Sequence, residues 1–133
     1  MSKIIEFCTS LENKIIESYQ DGITLEVAEK LAGEFLHAQM VISSELKKRD
    51  LDSRMKKQGV KALRAALYLD QKSKAEKITE ANMTAFLDSN ELVSSEQNSL
   101  DEAEASRDEL ERYYNIFNSA HVYFRQLSKG SLG

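Results

Sequence analysis

The chain contains no proline and no tryptophan, and its 133 residues include only five glycines. Proline and glycine are the residues that most often interrupt helices and shape turns, so their scarcity excludes a fold built from tight turns and short strands. Hydrophobic residues make up 41% of the sequence and charged residues 30%. Because this combination is typical of long uninterrupted helices, we predict an all-α chain that forms a single domain over residues 1–133.

Cysteine and long apolar runs are equally scarce. The single cysteine, Cys8, excludes a disulfide within the chain and is compatible with a reducing compartment. The N-terminal residues contain no continuous apolar run, so we expect neither a signal peptide nor a membrane span. We therefore predict a cytoplasmic protein that does not bind membranes.

Residues that carry out catalysis or bind metals are few. The only histidines are His37 and His121, and both His37 and Cys8 lie among apolar residues, as buried or partly buried packing residues do. The sequence contains no cysteine pair for a metal, no two histidines at ligand spacing and no glycine-rich phosphate loop. We predict that the chain is not an enzyme and has no catalytic residues, metal or cofactor.

Apolar residues recur with helical spacing in four segments that are separated by polar or capping residues. The pattern predicts an N-terminal helix within residues 1–22, a long helix within 24–76, a short helix within 79–88 and a C-terminal helix within 90–129. Thr24 and Thr79 are the predicted N-caps of the second and third helices. A break of the long helix near Ser43-Ser44 or at Gly59 is the main alternative. The expected architecture is a long antiparallel helical hairpin preceded by one helix.

The C-terminal helix has a seven-residue repeat and is predicted to be coiled-coil-like. Glu96, Arg107 and His121 interrupt the repeat, so they lie at its margins or pair across it to fix the register. The last part of this helix is apolar over more than one stripe, which predicts packing on more than one neighbour. We predict that the helix holds a homo-oligomer together through the following residues: Leu100, Leu110, Tyr114, Phe117 and Phe124.

Positive charge is concentrated in one stretch, because residues 47–80 carry a net charge of +6 and residues 81–112 carry −7. On a helical projection, seven residues of the long helix fall within an arc of about 100°. They are Lys47, Arg54, Lys57, Lys61, Arg64, Tyr68 and Lys72. Aligned cations displace counterions from a phosphate backbone, and a tyrosine ring offers a base a stacking surface, so these residues are predicted to bind nucleic acid. The alternative is that the acidic C-terminal helix lies against this face and neutralises it.

Two sequence patterns resemble a known family. They are LRAALYLDQKSKAEKITEANMTAFLDSNELVSSEQNSLDEAEASRDEL and the later F-x-x-A-x-x-Y-F-R-Q-L. Over residues 35–129 the chain resembles small all-α phage proteins of the UvsY type, which are recombination mediators that load a RecA-like recombinase onto single-stranded DNA coated with single-strand-binding protein. The shared features are a basic helix that ends near a tyrosine, a polar hinge with a K-x-T-E restart, an acidic turn, and a final helix with an aromatic and basic end.

The resemblance implies a bacteriophage protein that works in the cytoplasm of a bacterial host cell in homologous recombination and repair. It implies a ring-shaped homo-oligomer built through the C-terminal helices, with single-stranded DNA on the basic helix and Lys57, Lys61 and Arg64 at the DNA-contacting position. A RecA-like recombinase and single-strand-binding protein are the implied protein partners. The alternative is a structural or scaffolding helical homo-oligomer, of a virion or an adaptor complex, without a specific nucleic-acid function.

Overall fold

A computed structural model describes residues 2–74 and 77–130, and every regular element within these ranges is an α-helix. Helix α1 spans Lys3–Asp21, α2 spans Leu25–Lys74, α3 spans Glu80–Ser89 and α4 spans Glu91–Ser128. The long helices α2 and α4 pack against each other. This confirms the predicted all-α fold, a long helical hairpin with an additional N-terminal helix.

Side chains cap the helix beginnings as the sequence indicates. The Thr24 hydroxyl accepts a hydrogen bond from the backbone N–H of Val27 at 3.1 Å, and the Thr79 hydroxyl accepts one from Asn82 at 3.1 Å. At the start of α4, the Asn90 side-chain oxygen accepts from two backbone N–H groups, at 2.9 and 3.2 Å. These bonds satisfy donors that a helix cannot satisfy itself, so they fix where each helix begins.

Helix α2 is one uninterrupted helix of 50 residues. It continues through Ser43, Ser44 and Gly59, so the breaks considered at these residues are not present. The Ser43 hydroxyl donates to the Met40 carbonyl at 2.9 Å and thus finds its partner inside the helix. Gly59 weakens a helix by about 1 kcal/mol relative to alanine, a cost that the surrounding good helix formers outweigh.

The chain contains two compact units. The first unit consists of Met1–Lys47 and Asp108–Gly133, and the second unit consists of Lys48–Arg107. The single domain stays a prediction, and the long helices have different packing partners in the two units. Helix α1 belongs to the first unit and α3 to the second.

An aromatic cluster lies in the core of the first unit. The Phe35 ring lies 5.5 Å from that of Phe117 and 5.8 Å from that of Phe124, and Tyr113 lies 5.9 Å from Phe117, between ring centroids. Helix α1 adds the buried side chains of Ile5, Cys8 and Leu11 to this cluster. The broad apolar end of α4 therefore packs on both α1 and α2, as its sequence predicts for a helix that is apolar over more than one stripe.

The core of the second unit is smaller and draws on three helices. Its buried apolar residues are Val60 of α2, Met83 and Leu87 of α3, and Val93, Leu100 and Ala103 of α4. Helix α3 therefore contributes two of the six buried apolar side chains of this core.

The three polar residues in the repeat of α4 have different environments. Arg107 donates to the Ser53 hydroxyl at 3.2 Å, and its guanidinium lies 4.0 Å from the Asp50 carboxylate. The Nδ1 atom of His121 lies 3.0 Å from the Ala32 carbonyl, which can only accept, so this nitrogen carries the proton and donates. Glu96 is exposed. Arg107 and His121 therefore pair across the α2–α4 contact, whereas Glu96 lies at its margin.

Two glycines have opposite expected responses to alanine substitution. A Cβ atom at Gly59 meets nothing within 4 Å, so Gly59→Ala is expected to raise the free energy of unfolding by about 0.5–1 kcal/mol. Gly22 has a φ of +84°, which alanine adopts only with strain, so Gly22→Ala is expected to lower the free energy of unfolding by about 1–3 kcal/mol. Urea denaturation followed by far-UV circular dichroism measures both changes in the free energy of unfolding. A change of the same sign in the two variants would contradict the prediction.

Candidate nucleic-acid interface

In the second unit, α2 has one buried side and one solvent-exposed side. Ser53 and Val60 are buried, and Leu63 and Leu67 next to them are half-buried. These residues lie on the same side of the helix, because they are spaced by seven, three and four positions. The cations of α2 lie mainly beside this buried side, where their stems can rest on the protein while their charged ends reach water.

The structure places the predicted nucleic-acid-binding residues in one row along α2. Arg54, Lys57, Lys61 and Lys72 are exposed, and Arg64 and Tyr68 are half-buried. These six residues all belong to the second unit. Lys47 is also exposed but belongs to the first unit, so it is not part of this row.

The cations of the row differ in how they are paired. The Arg64 guanidinium lies 3.0 Å from the carboxylate of Asp88, the second-to-last residue of α3. The Arg64 side chain is 35% exposed. Arg54 lies 3.1 Å from Asp50 of its own helix, but its side chain is 75% exposed. Lys57 and Lys61 form no ion pair within the described part of the chain and lie one helical turn apart, about 6 Å along the axis. They are the most available cations for a phosphate backbone.

Neutralisation by α4 was the alternative for this face. In the described residues of the second unit, no acid of α4 forms an ion pair with Arg54, Lys57, Lys61, Arg64 or Lys72; the acidic partners of these five cations are Asp50 of α2 and Asp88 of α3. The α4 acids at positions 91, 96, 101 and 102 are instead exposed. The contact between α2 and α4 in the second unit includes buried apolar residues and two arginines, Arg49 and Arg107, that pair across it. Because no described α4 acid of this unit pairs with the positive row, the row keeps its charge at the surface.

Tyr68 was predicted as a stacking surface for a base. Its ring is half-buried, and the Lys72 ammonium lies 5.4 Å from the ring centroid and 3.4 Å from the hydroxyl. An exposed cation–π contact of this kind contributes only about 0.5–1 kcal/mol. A base can therefore displace Lys72 from the ring at small cost, after which the ammonium is available for a neighbouring phosphate.

Helix α2 has two apolar sides in the second unit. Val60, Leu63 and Leu67 lie on the buried side, but Leu51 and Met55 lie on the exposed side, where they are 59% and 65% exposed. The two sides can be distinguished from the sequence, because on a helical projection the centres of the two groups lie about 130° apart. A single apolar face would have kept them together.

The residues predicted to hold an oligomer lie mostly in the interior of the chain. Leu100 is buried in the second unit, and Leu110, Phe117 and Phe124 are fully buried in the first. Tyr114 alone is half-exposed among the five. The prediction was based on the broad apolar surface of the last part of α4. Contacts with α1 and α2 of the same chain account for this surface. An oligomerisation role for these residues stays a prediction, and their substitution tests the core first.

Candidate residues for chemistry are dispersed. Cys8 is buried, as predicted, whereas His37 is exposed, because it lies on the side of α2 away from the core. Glu34 and His37 have a Glu-x-x-His spacing, but Glu34 accepts a hydrogen bond from Lys14 at 2.8 Å. Among the described residues, no three His, Cys, Asp or Glu side chains are grouped so that they could hold a metal ion.

A groove of about 790 Å³ lies between α1 and α4 in the first unit. Ile15 and Ile116 contribute apolar surface, and the rings of Tyr19 and Tyr123 lie 6.5 Å apart at its side. Partial burial raises the pKa of the Tyr123 hydroxyl above its ordinary value of 10.0, and Tyr19 adds to this shift. The Tyr123 phenol therefore stays protonated at neutral pH and can donate a hydrogen bond.

In the part of the chain that the structure describes, no helix is both long enough and apolar enough to cross a membrane. No family model, no curated protein and no solved structure matches this chain.

Proposed function

We propose that the chain binds single-stranded DNA through the positive row of α2 and acts as a recombination mediator of the UvsY type, which helps to load a RecA-like recombinase. The observation that carries the DNA-binding part is the exposure of Lys57 and Lys61 without an acidic partner in the described residues. Arg54 and Lys72 extend the row on either side. Lysine and arginine side chains on a rigid helix neutralise phosphates without base-specific contacts, so binding is expected to be largely independent of sequence.

The mediator role rests on the resemblance of residues 35–129 to the UvsY-type proteins. In this proposal the chain works in the cytoplasm of a bacterial host, with a recombinase and single-strand-binding protein as partners. Several copies form a ring-shaped homo-oligomer. One copy offers only a few phosphate contacts, so repetition of the row around a ring would raise the avidity for a long strand by about 10²-fold or more.

A structural or scaffolding oligomer is the second candidate function. It is favoured by the exposed apolar side chains of α2, among them Leu51, Met55 and Leu69, which are between 59% and 66% exposed. Exposed apolar side chains that lie close together often mark protein contacts. In this alternative the positive row would serve assembly or solubility, and single-stranded DNA would bind weakly or not at all.

Binding of a labelled oligo(dT) strand, followed by fluorescence anisotropy, tests the DNA-binding part. The Lys57→Ala/Lys61→Ala variant is expected to bind roughly tenfold more weakly than the wild type at physiological salt, because two phosphate contacts are lost. Sedimentation of the same samples reports the size of the assembly.

The control is Lys3→Ala/Lys30→Ala, which removes the same charge from two exposed lysines of the first unit. This variant is expected to bind like the wild type. An equal loss in both variants would mean that binding follows overall charge and not the row. Absence of binding by the wild type would favour the scaffolding function.

The mediator role needs a separate measurement. On single-stranded DNA coated with single-strand-binding protein, addition of the wild-type chain is expected to shorten the lag before a RecA-like recombinase begins DNA-dependent ATP hydrolysis. The Lys57→Ala/Lys61→Ala variant should leave the lag longer than the wild type does. DNA binding without any effect on the lag would retain the DNA-binding part of the proposal and overturn the mediator role.

A further inference from the structure

The exposed side of α2 in the second unit carries an apolar stripe that no part of the described chain covers. Leu51, Met55 and Leu69 are 59%, 65% and 66% exposed, and Ala62 and Ala65 between them are also exposed. This stripe faces away from Ser53 and Val60, which form the buried side of the same helix. Helix α2 is therefore apolar on two opposite sides, and only one of them has a partner within the second unit.

The spacing of the stripe is that of a helix–helix seam. Positions 51, 55, 58, 62, 65 and 69 follow one another at intervals of four and three, which is the repeat that keeps side chains facing a second helix. Gln58 is the one polar residue in the series. The alanines allow a partner backbone to approach closely, while leucine and methionine at the ends supply larger contacts. The seam is about 27 Å long, or five helical turns.

One edge of the seam is positively charged. Arg54 and Lys61 are seven residues apart and adjoin the seam, in the positions that flank the contact between paired helices. Lys61 has no acidic partner in the described residues, and Arg54 pairs only with Asp50 of its own helix while its side chain stays 75% exposed. Flanking charges choose the partner and its orientation, so this edge selects a helix with acidic residues beside its own seam.

A second copy of the chain does not supply those acids. In an antiparallel two-fold pair, each edge of the seam lies beside the same edge of the second copy. Arg54 and Lys61 would then lie beside Lys61 and Arg54 of that copy, which repel them. In a parallel pair they would lie beside the positions equivalent to Gly59 and Ala66, which carry no charge. The acidic outer side of α4 also lacks a matching apolar seam, because the positions at 94, 95, 98, 101 and 102 are exposed polar residues.

We propose that the outer side of α2 between Leu51 and Leu69 docks an amphipathic helix of another protein, with Asp or Glu beside the apolar seam of that helix. This partner site goes beyond the proposed DNA binding but shares Arg54 and Lys61 with the positive row. An acidic helix and a DNA strand therefore compete for the same two cations. The apolar seam is used by the helix alone.

The probe is a synthetic helix of four heptads with leucine at the seam positions and glutamate at the flanking positions, and the control peptide has lysine in place of glutamate. The full chain is expected to bind the glutamate peptide and not the lysine peptide. In the chain, Met55→Gln/Leu69→Gln should weaken peptide binding by roughly tenfold or more, because two apolar contacts are lost. Both residues are exposed, so far-UV circular dichroism should show an unchanged fold.

The two ligands separate the two proposals. The Met55→Gln/Leu69→Gln variant should keep the wild-type affinity for oligo(dT), whereas Lys61→Ala should weaken both ligands. Equal binding of both peptides, or peptide binding that the seam variant does not change, would overturn the docking site. Self-association of the wild type that the seam variant abolishes would assign the seam to a second copy and would also overturn it. Failure of oligo(dT) to bind while the glutamate peptide binds would overturn the proposed function alone.

Discussion

Phe117→Ala is expected to lower the free energy of unfolding of the first unit by about 3–5 kcal/mol, the usual cost of removing a buried phenylalanine side chain. Phe117 is fully buried, and its ring contacts those of Phe35 and Tyr113. The truncation leaves a cavity among rigid aromatic rings, which collapse poorly into the space. Four of the five tyrosines lie in the first unit, so near-UV circular dichroism during urea denaturation reports mainly on this unit.

The matched control is Val122→Ala on the same helix. Val122 is 44% exposed, so this substitution should cost less than about 1 kcal/mol. The same experiment tests the oligomer prediction for α4. If Phe117→Ala left the urea midpoint unchanged but produced smaller species in sedimentation, the side chain would lie at a subunit interface. That result would contradict its burial within the chain and support its predicted role in oligomerisation.

The helices could be predicted from the sequence because each local signal agrees with the fold. Apolar spacing gives the period, and hydroxyl or amide side chains at Thr24, Thr79 and Asn90 provide the caps that the structure contains. The sequence allows either a break at Gly59 or a continuous α2, because one glycine weakens a helix by an amount that neighbouring residues can outweigh. The two compact units were not predicted from the sequence. They depend on where α1 and α3 pack along the two long helices, α2 and α4.

The positive row follows from the geometry of a helix and could be placed from sequence, but the pairing within it could not. Arg64 pairs with Asp88, which lies 24 residues later and reaches it only through the packing of α3. Among the apolar residues of α2, Met55 lies on the exposed side and Val60 on the buried side. Composition alone does not distinguish a side that has a partner from one that does not. The arrangement of α3 and α4 decides this, and it is a tertiary property.

The affinity for single-stranded DNA is expected to fall steeply with salt. If Arg54, Lys57, Lys61 and Lys72 each neutralise one phosphate, the log–log slope is near −3, because each contact on a single strand contributes about 0.7. Between 50 and 200 mM salt the affinity of the wild type should then fall by roughly 60-fold. The measurement is an anisotropy titration of oligo(dT) at several salt concentrations.

The Lys57→Ala/Lys61→Ala variant should have a slope near −1.5, so its affinity should fall only about eightfold over the same salt range. This pair is a sharper test than Arg64, because part of any effect of Arg64→Ala would come from its lost ion pair with Asp88. The Lys3→Ala/Lys30→Ala control should keep the wild-type slope, since its lysines lie outside the row. A slope that is the same in all three proteins would mean that phosphates do not contact Lys57 and Lys61. The exposed row would then be a solvated surface of the helix, and the weakened affinity expected of the double variant should also be absent.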